Sequence, residues 1–204
     1  MRTVAHLLSI VLHPLFMPLY TLVLAFRLDP NLSFFLPEEV RLITFAMVFL
    51  MTVLFPLLST VLLLRAGVIQ QLSMPTRQER IMPFVMTLFY YGLTYYLLRR
   101  TLHHPATYAM LLGAVLALAI TAVITLRWKI SAHMVGMGGL LGALSALLVL
   151  HHTFAPLEMA AFILLAGALG TSRLIAGAHS PAQVYAGTVL GFTCTFVCVM
   201  AVPG

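Results

Sequence analysis

Charge is what this chain has least of. Its 204 residues include eleven Lys/Arg and five Asp/Glu, 8% in all. A soluble domain covers its surface with roughly a quarter charged residues. With 62% hydrophobic residues, a soluble globular enzyme, a disordered chain and a nucleic-acid-binding module are all excluded as readings. The net charge of +6 is therefore no footprint of nucleic acid, because the basic residues stand between apolar runs, where they set topology or bind anions. Cysteine is also scarce. Cys194 and Cys198 lie one helical turn apart in an apolar run, which excludes a disulfide framework and leaves them as small apolar residues.

Long apolar runs are plentiful. A bilayer-crossing helix needs about 20 apolar residues, and the chain offers seven such runs, at 3-26, 41-64, 82-98, 106-126, 131-150, 157-177 and 183-202. No alternating barrel pattern is present, and backbone groups in lipid must pair internally, so the spans are helices. The first run is too long for a cleavable signal peptide and lacks a small-residue cleavage site. Pro14 and Pro18 should bend it. The fold class predicted is all-α: a polytopic membrane helix bundle forming a single integral membrane domain over 1-204, with two N-terminal spans in 1-64.

Let side A be the side of the N-terminus. Seven spans put the loops 65-81, 127-130 and 178-182 there, with Arg2, Arg65, Arg77, Arg80, Arg127, Lys129 and Arg173 against a single acid, Glu79. Side B receives Arg27, Arg41, Arg99 and Arg100 against Asp29, Glu38, Glu39 and Glu158. The raw count would make side A cytoplasmic. Setting aside Arg77, Arg80 and Arg173 as site residues leaves four basic residues on each side, and the rule falls silent.

Three stretches break the apolar rhythm, all on side A: Ser73 to Pro83 with Arg77 and Arg80, Lys129 to Gly136 with Ser131 and His133, and Ser172 to Gln183 with Arg173 and His179. Single arginines at span ends commonly anchor a helix by snorkelling, and single histidines commonly pack. Three arginines, two histidines and Ser172 converging on one membrane face instead make an anion site with groups that carry protons near neutral pH. At that depth the anion at hand is a lipid phosphate.

The order and spacing of these residues resemble the type 2 phosphatidic acid phosphatase superfamily, the lipid phosphatases related to haloperoxidases, as a divergent bacterial-type membrane member. Ser172-Arg173-x5-His179 is similar to its SRxxxxxH motif, Ser131-Ala-His133 to its PSGH motif, and Arg77 and Arg80 stand where its basic KxxxxxxRP motif belongs. The likeness covers roughly 65-200, so a phosphatase-type core is expected over spans 3-7, residues 65-204. It implies a metal-independent hydrolase acting on a phosphate monoester or diphosphate of a membrane lipid, phosphatidate-like or polyprenyl. His179 would be the nucleophile of a phosphohistidine route and His133 the proton donor to the leaving group. Arg173, Arg77 and Arg80 would clamp the phosphoryl oxygens, with Ser131 and Ser172 adding donors. No cofactor and no metal are called for, since Glu79 alone cannot hold a magnesium pair.

Two positions depart from the pattern. Gln183 stands where the superfamily has the aspartate that orients the nucleophile, and Ser73, seven residues before Arg80, stands where it has lysine. Gln183 can accept a hydrogen bond from the His179 ring, and Glu79 is a second candidate orienting group. The alternative is a member that binds or transports a phosphorylated lipid without turning it over. The superfamily implies a site on the extracytoplasmic side of a bacterial inner membrane.

The remaining features read as structure. Gly138-x3-Gly142 and Gly187-x3-Gly191 are expected to pack helices within one chain. His103, His104, His151 and His152 are expected as solvated loop residues on side B. His13 has no evident partner at its depth, which disfavours a bis-histidine haem.

Overall fold

The computed structural model describes residues 2–34, 36–72, 74 and 76–202, with the Arg2 side chain excepted. Ser73, the position expected to hold a lysine, lies outside the described residues. Among the described residues there are helices and no strands: α1 (Arg2–Val11), α2 (Met17–Leu28), α3 (Glu38–Phe49), α4 (Phe55–Arg65), α5 (Gln78–Arg99), α6 (Pro105–Thr125), α7 (Ala132–Leu150), α8 (Pro156–Ile175) and α9 (Pro181–Met200). They make seven helices long and apolar enough to cross a membrane, the first running over Thr3–Leu28 and the second over Glu38–Arg65. Outward faces carry exposed Leu62, Phe89, Leu164 and Val189. Such surface has no place in water, and the arrangement fits an integral membrane protein.

The first span breaks at its proline, as expected. Pro14 has no N–H to continue the ladder, so α1 ends at Val11 and a 3-10 turn, Pro14–Phe16, intervenes before α2. His13 caps that turn, its Nδ1 accepting from Leu15 N at 3.4 Å. The second span joins α3 to α4 through a π-helical turn, Leu50–Leu54, just before Pro56. The extra residue in that turn absorbs the missing donor of the proline.

The centre of the bundle is α7, whose 18-residue apolar window is 61% buried, the largest share of the seven spans. It packs on α9, α2, α8 and α6. The α7–α9 seam depends on glycine. A Cβ on Gly191 would fall on the carbonyl of Val135, one on Gly138 on the carbonyl of Thr188, and one on Gly142 on the carbonyl of Phe192. Thr195 Oγ1 closes the seam by donating to Gly139 O at 2.8 Å. Both glycine pairs thus serve packing within the chain, as read from the sequence.

Side B corrects one expectation for three of its four histidines, while His152 is exposed as expected. His103 is buried at 6% exposure and bonds Thr44 Oγ1 through Nε2 at 2.8 Å. His104 caps α6, its Nδ1 accepting from Ala106 N at 3.3 Å. His151 pairs through Nδ1 with Asp29, itself only 1% exposed. These histidines are not solvated because helix ends leave backbone and carboxylate groups that need partners inside the packed end. Burial lowers the affinity of His103 and His104 for a proton, and the neighbouring His151 adds to the effect at His104.

His152 occupies the left-handed position that ends α7, with φ 52°, while Thr153 N donates back to Leu148 O at 3.0 Å. Left-handed backbone is costly for a residue with a Cβ and free for glycine. His152→Gly should stabilise the protein by about 1 kcal/mol. A lower unfolding midpoint in detergent would contradict this.

Candidate functional site

The chain turns sharply between Arg173 and His179, and the turn explains the spacing of the motif. Gly177, at φ 63°, follows the end of α8; its N–H donates to Leu174 O at 2.9 Å, and Ala178 N donates to Arg173 O at 3.1 Å. This glycine-ended closure needs a left-handed residue at Gly177. It brings the chain back over α8, so that His179 returns to the same mouth as Arg173. Ser180 then caps α9, with Pro181 in its first turn. Gln183 N donates to Ser180 Oγ at 3.4 Å, and Ser180 N donates to Gln183 Oε1 at 3.1 Å. Ser180-x-x-Gln183 is thus a capping box.

That box decides the tautomer of His179. Because a backbone N–H donates to Oε1, the Oε1 of Gln183 is fixed as an acceptor. It lies 3.1 Å from His179 Nδ1, so Nδ1 carries the proton and Nε2 keeps its lone pair. Burial, with the side chain 9% exposed, pushes the His179 pKa down to about 4; the Gln183 bond opposes this, and Arg173, Arg80 and Lys129 add to it. At neutral pH the ring is a neutral base with an open Nε2.

The mouth around it is cationic. Arg80, Lys129, His133, Arg173 and His179 line one cavity of about 580 Å³. Arg80 Nε donates to Met74 O at 3.0 Å. Arg173 Nη1 donates to Ser9 Oγ at 3.1 Å, while its Nε is buried with no partner. Lys129 loses proton affinity through burial and through the guanidiniums of Arg80 and Arg173. The N-terminal turn of α7, with Ala132 and His133, also faces the cavity and adds its dipole. Three cations gathered without a carboxylate among the cavity's lining residues, and one guanidinium N–H left over, call for an anion.

The first span belongs to the site, which restricting the pocket to the third to seventh spans did not foresee. Ser9 is the junction. Its hydroxyl donates to Ala5 O at 2.9 Å and receives Arg173 Nη1, while its carbonyl accepts His133 Nε2 at 3.0 Å. His13 does have a partner at its depth: its ring meets His133 edge-on, with centroids 5.4 Å apart. His6, Ser9 and His13 all line the cavity. His6 and Ser9, three apart, share one face of α1, and His13 joins them from the break beyond its end.

Four expected site residues stand elsewhere. Arg77 does not line the cavity; its Nη1 donates to Leu126 O at 3.3 Å and Arg127 O at 2.7 Å, where a cation meets the carbonyls and negative dipole end of α6. Glu79 does not reach His179. Its carboxylate accepts from Thr76 Oγ1 at 2.7 Å and from Gln70 N at 3.3 Å, fastening the loop before α5. Ser172 Oγ is turned back onto Ala168 O at 2.8 Å. Ser131 is fully buried, its Oγ without a partner, and its N–H donates to Gln183 O at 3.4 Å. It ties the start of α7 to α9 and does not line the cavity.

The roles of the two arginines are therefore separable. Arg80→Ala should weaken anion binding, probed with inorganic phosphate, at least about tenfold, since a charge-assisted bond is worth about 1.5–3 kcal/mol. Arg77→Ala should change it less than about threefold and chiefly loosen the loop. Equal losses in a binding titration would contradict this assignment.

In comparison with known proteins, the chain matches no family model, no curated protein and no solved structure.

Proposed function

We propose that this protein is a metal-independent phosphatase of membrane lipids, working through a phosphohistidine intermediate and belonging to the type 2 phosphatidic acid phosphatase superfamily. The observation that carries the reading is His179: a neutral imidazole with its Nδ1–H held by Gln183, its Nε2 open, and Arg173 and Arg80 on the same cavity. Nε2 attacks phosphorus and the bond to the lipid oxygen breaks, splitting one hard displacement into two. The leaving oxygen takes a proton from His133. That ring keeps its Nε2–H on the Ser9 carbonyl, so the proton it transfers is one carried on Nδ1. Water, giving its proton back to His133, then attacks the phosphohistidine and releases inorganic phosphate. Arg173, Arg80 and Lys129 hold the equatorial oxygens, where charge stabilisation is the main task.

Gln183 supplies the orientation that the superfamily's aspartate would supply, without its charge. Its place in the capping box supports a slow enzyme over a broken one. The second reading, a protein that binds or moves a phosphorylated lipid, draws support from the same missing charge. The site also bears on the count of charges. With Arg80, Lys129 and Arg173 assigned to the phosphate, four basic residues remain on each side. The positive-inside rule then no longer opposes a mouth on the extracytoplasmic face of a bacterial inner membrane.

The test is phosphate release by purified protein with EDTA present, on phosphatidate, phosphatidylglycerophosphate and polyprenyl diphosphate. Release from at least one lipid is the expected result. No release from folded protein that a lipid nonetheless protects against heat would transfer the assignment to binding or transport.

A further inference from the structure

The cavity does not stop at the phosphate. Below the mouth it follows one face of α6 through Thr121, Leu118, Ala117, Ala114, Met110 and Thr107. From Thr107 to Thr121 is fourteen steps along the helix, about 21 Å at 1.5 Å per residue. The inner walls of the cavity are buried: Met17, Leu22, Tyr91, Ala117 and Leu140 are all at most 5% exposed, whereas Ile10 and Leu72, which also line the cavity, are exposed. The threonines that line it are polar in name only. Thr21, Thr60, Thr87 and Thr121 spend their hydroxyls on carbonyls of their own helices at 2.7–2.8 Å, Thr195 spends its own on Gly139 O, and all are left to present methyl groups. Thr107, fully buried at the far end, has a hydroxyl with no partner and marks the floor.

An apolar chamber beneath a cationic mouth has the charge pattern of a lipid phosphate, head at the mouth and chain inward. Its size counts the chains. At about 1.2 Å per bond, the rise of an extended backbone, 21 Å takes about 17 carbons. At about 30 Å³ for a water-sized group, the whole cavity of 580 Å³, mouth included, holds about 19 groups, a phosphate head and chain together. Length and volume agree on one chain, and two side by side would need twice the space. We infer that the substrate is a lipid phosphate with a single hydrocarbon chain that threads into the bundle along α6, and that the distance to Thr107 measures its length. The inference rests on reading the mouth as the phosphate site.

The experiment uses binding, so that it stands apart from turnover. Alkylphosphonates, which resist hydrolysis, are titrated from hexyl to octadecyl below their micelle concentrations into the detergent-purified protein, with a dihexadecyl phosphatidate analogue beside them. Each added methylene should tighten Kd about two- to fourfold, since burial of each CH₂ is favourable, with a plateau near 16 carbons. The two-chain analogue should bind no tighter than its one-chain counterpart. Ala114 lies seven residues below Thr121, about 10 Å. Ala114→Phe should therefore end the gain near eight carbons, and the smaller Ala114→Leu should move the plateau in the same direction if the larger side chain impairs folding. A profile independent of chain length, or one unmoved by both variants, would overturn the chamber. Binding that fails at every length would overturn the mouth and the chamber together. A plateau at 16 carbons without phosphate release from any lipid would keep the chamber and remove only the hydrolase.

Discussion

His179→Ala is expected to lower phosphate release by about 10³-fold or more, because it removes the group to which the proposed mechanism assigns the covalent intermediate. The variant should fold. Gln183 Oε1 still accepts Ser180 N–H, so the capping box and the start of α9 survive the loss of the ring. Its binding of a lipid phosphate should fall far less than its turnover, since Arg173, Arg80 and Lys129 remain on the cavity. The variant also reports on acid stability. The folded chain holds His179 at about 4, whereas a free imidazole titrates near 6.5. The unfolded chain takes its proton first, so stability from this residue is complete above 6.5 and is lost as pH falls towards 4. His179→Ala should therefore lose less stability over that window than the native protein, which melting temperatures at pH 6.5 and 4.5 would measure. Retention of more than a tenth of the native release rate would remove His179 from the chemistry.

Gly191→Val should cost about 3 kcal/mol or more, the largest stability effect expected here. In a membrane, helices gain nothing by hiding apolar surface from lipid; close approach and good packing hold them together. On α9, Gly191 lies against Val135 O and Gly139 N, both backbone atoms of α7. A side chain there has no rotamer that avoids them, and α7 must move away along its length. At about 2–4 °C per kcal/mol for a chain of this size, the melting temperature should drop by about 6–12 °C. His133 and His179 should be displaced with it, since they stand on α7 and just ahead of α9. Gly92, with nothing near its missing Cβ, is the control: Gly92→Ala should be neutral or slightly stabilising. Similar losses at the two glycines would contradict the seam.

The spans were legible because lipid demands about 20 apolar residues in a row, and few other patterns produce that. Their ends were read less sharply. The second helix begins at Glu38, ahead of the apolar run, since its two acids suit the positive end of a helix. The convergence of Arg80, His133, Arg173 and His179 was legible from loop parity. What the sequence concealed were the carbonyl acceptors. Arg77 has the same charge as Arg80 and lies three residues away, yet the end of α6 claims it. Nothing in residue type separates an arginine that caps a helix from one that waits for phosphate. Ser9 escaped for a related reason: its carbonyl, invisible to any motif, positions His133. Gln183 was legible as an acceptor for His179, but its dependence on Ser180 appeared only when the capping box was seen closed.

The most direct test of the account is to look for the bond it requires. The protein is mixed with a lipid phosphate labelled on phosphorus, quenched in alkali within the first turnovers, and separated from lipid. A phosphohistidine should appear as label on the protein that survives alkali, is lost in mild acid, and is absent from His179→Ala. Steady release of inorganic phosphate with no labelled protein at any quench time would contradict a covalent route through His179.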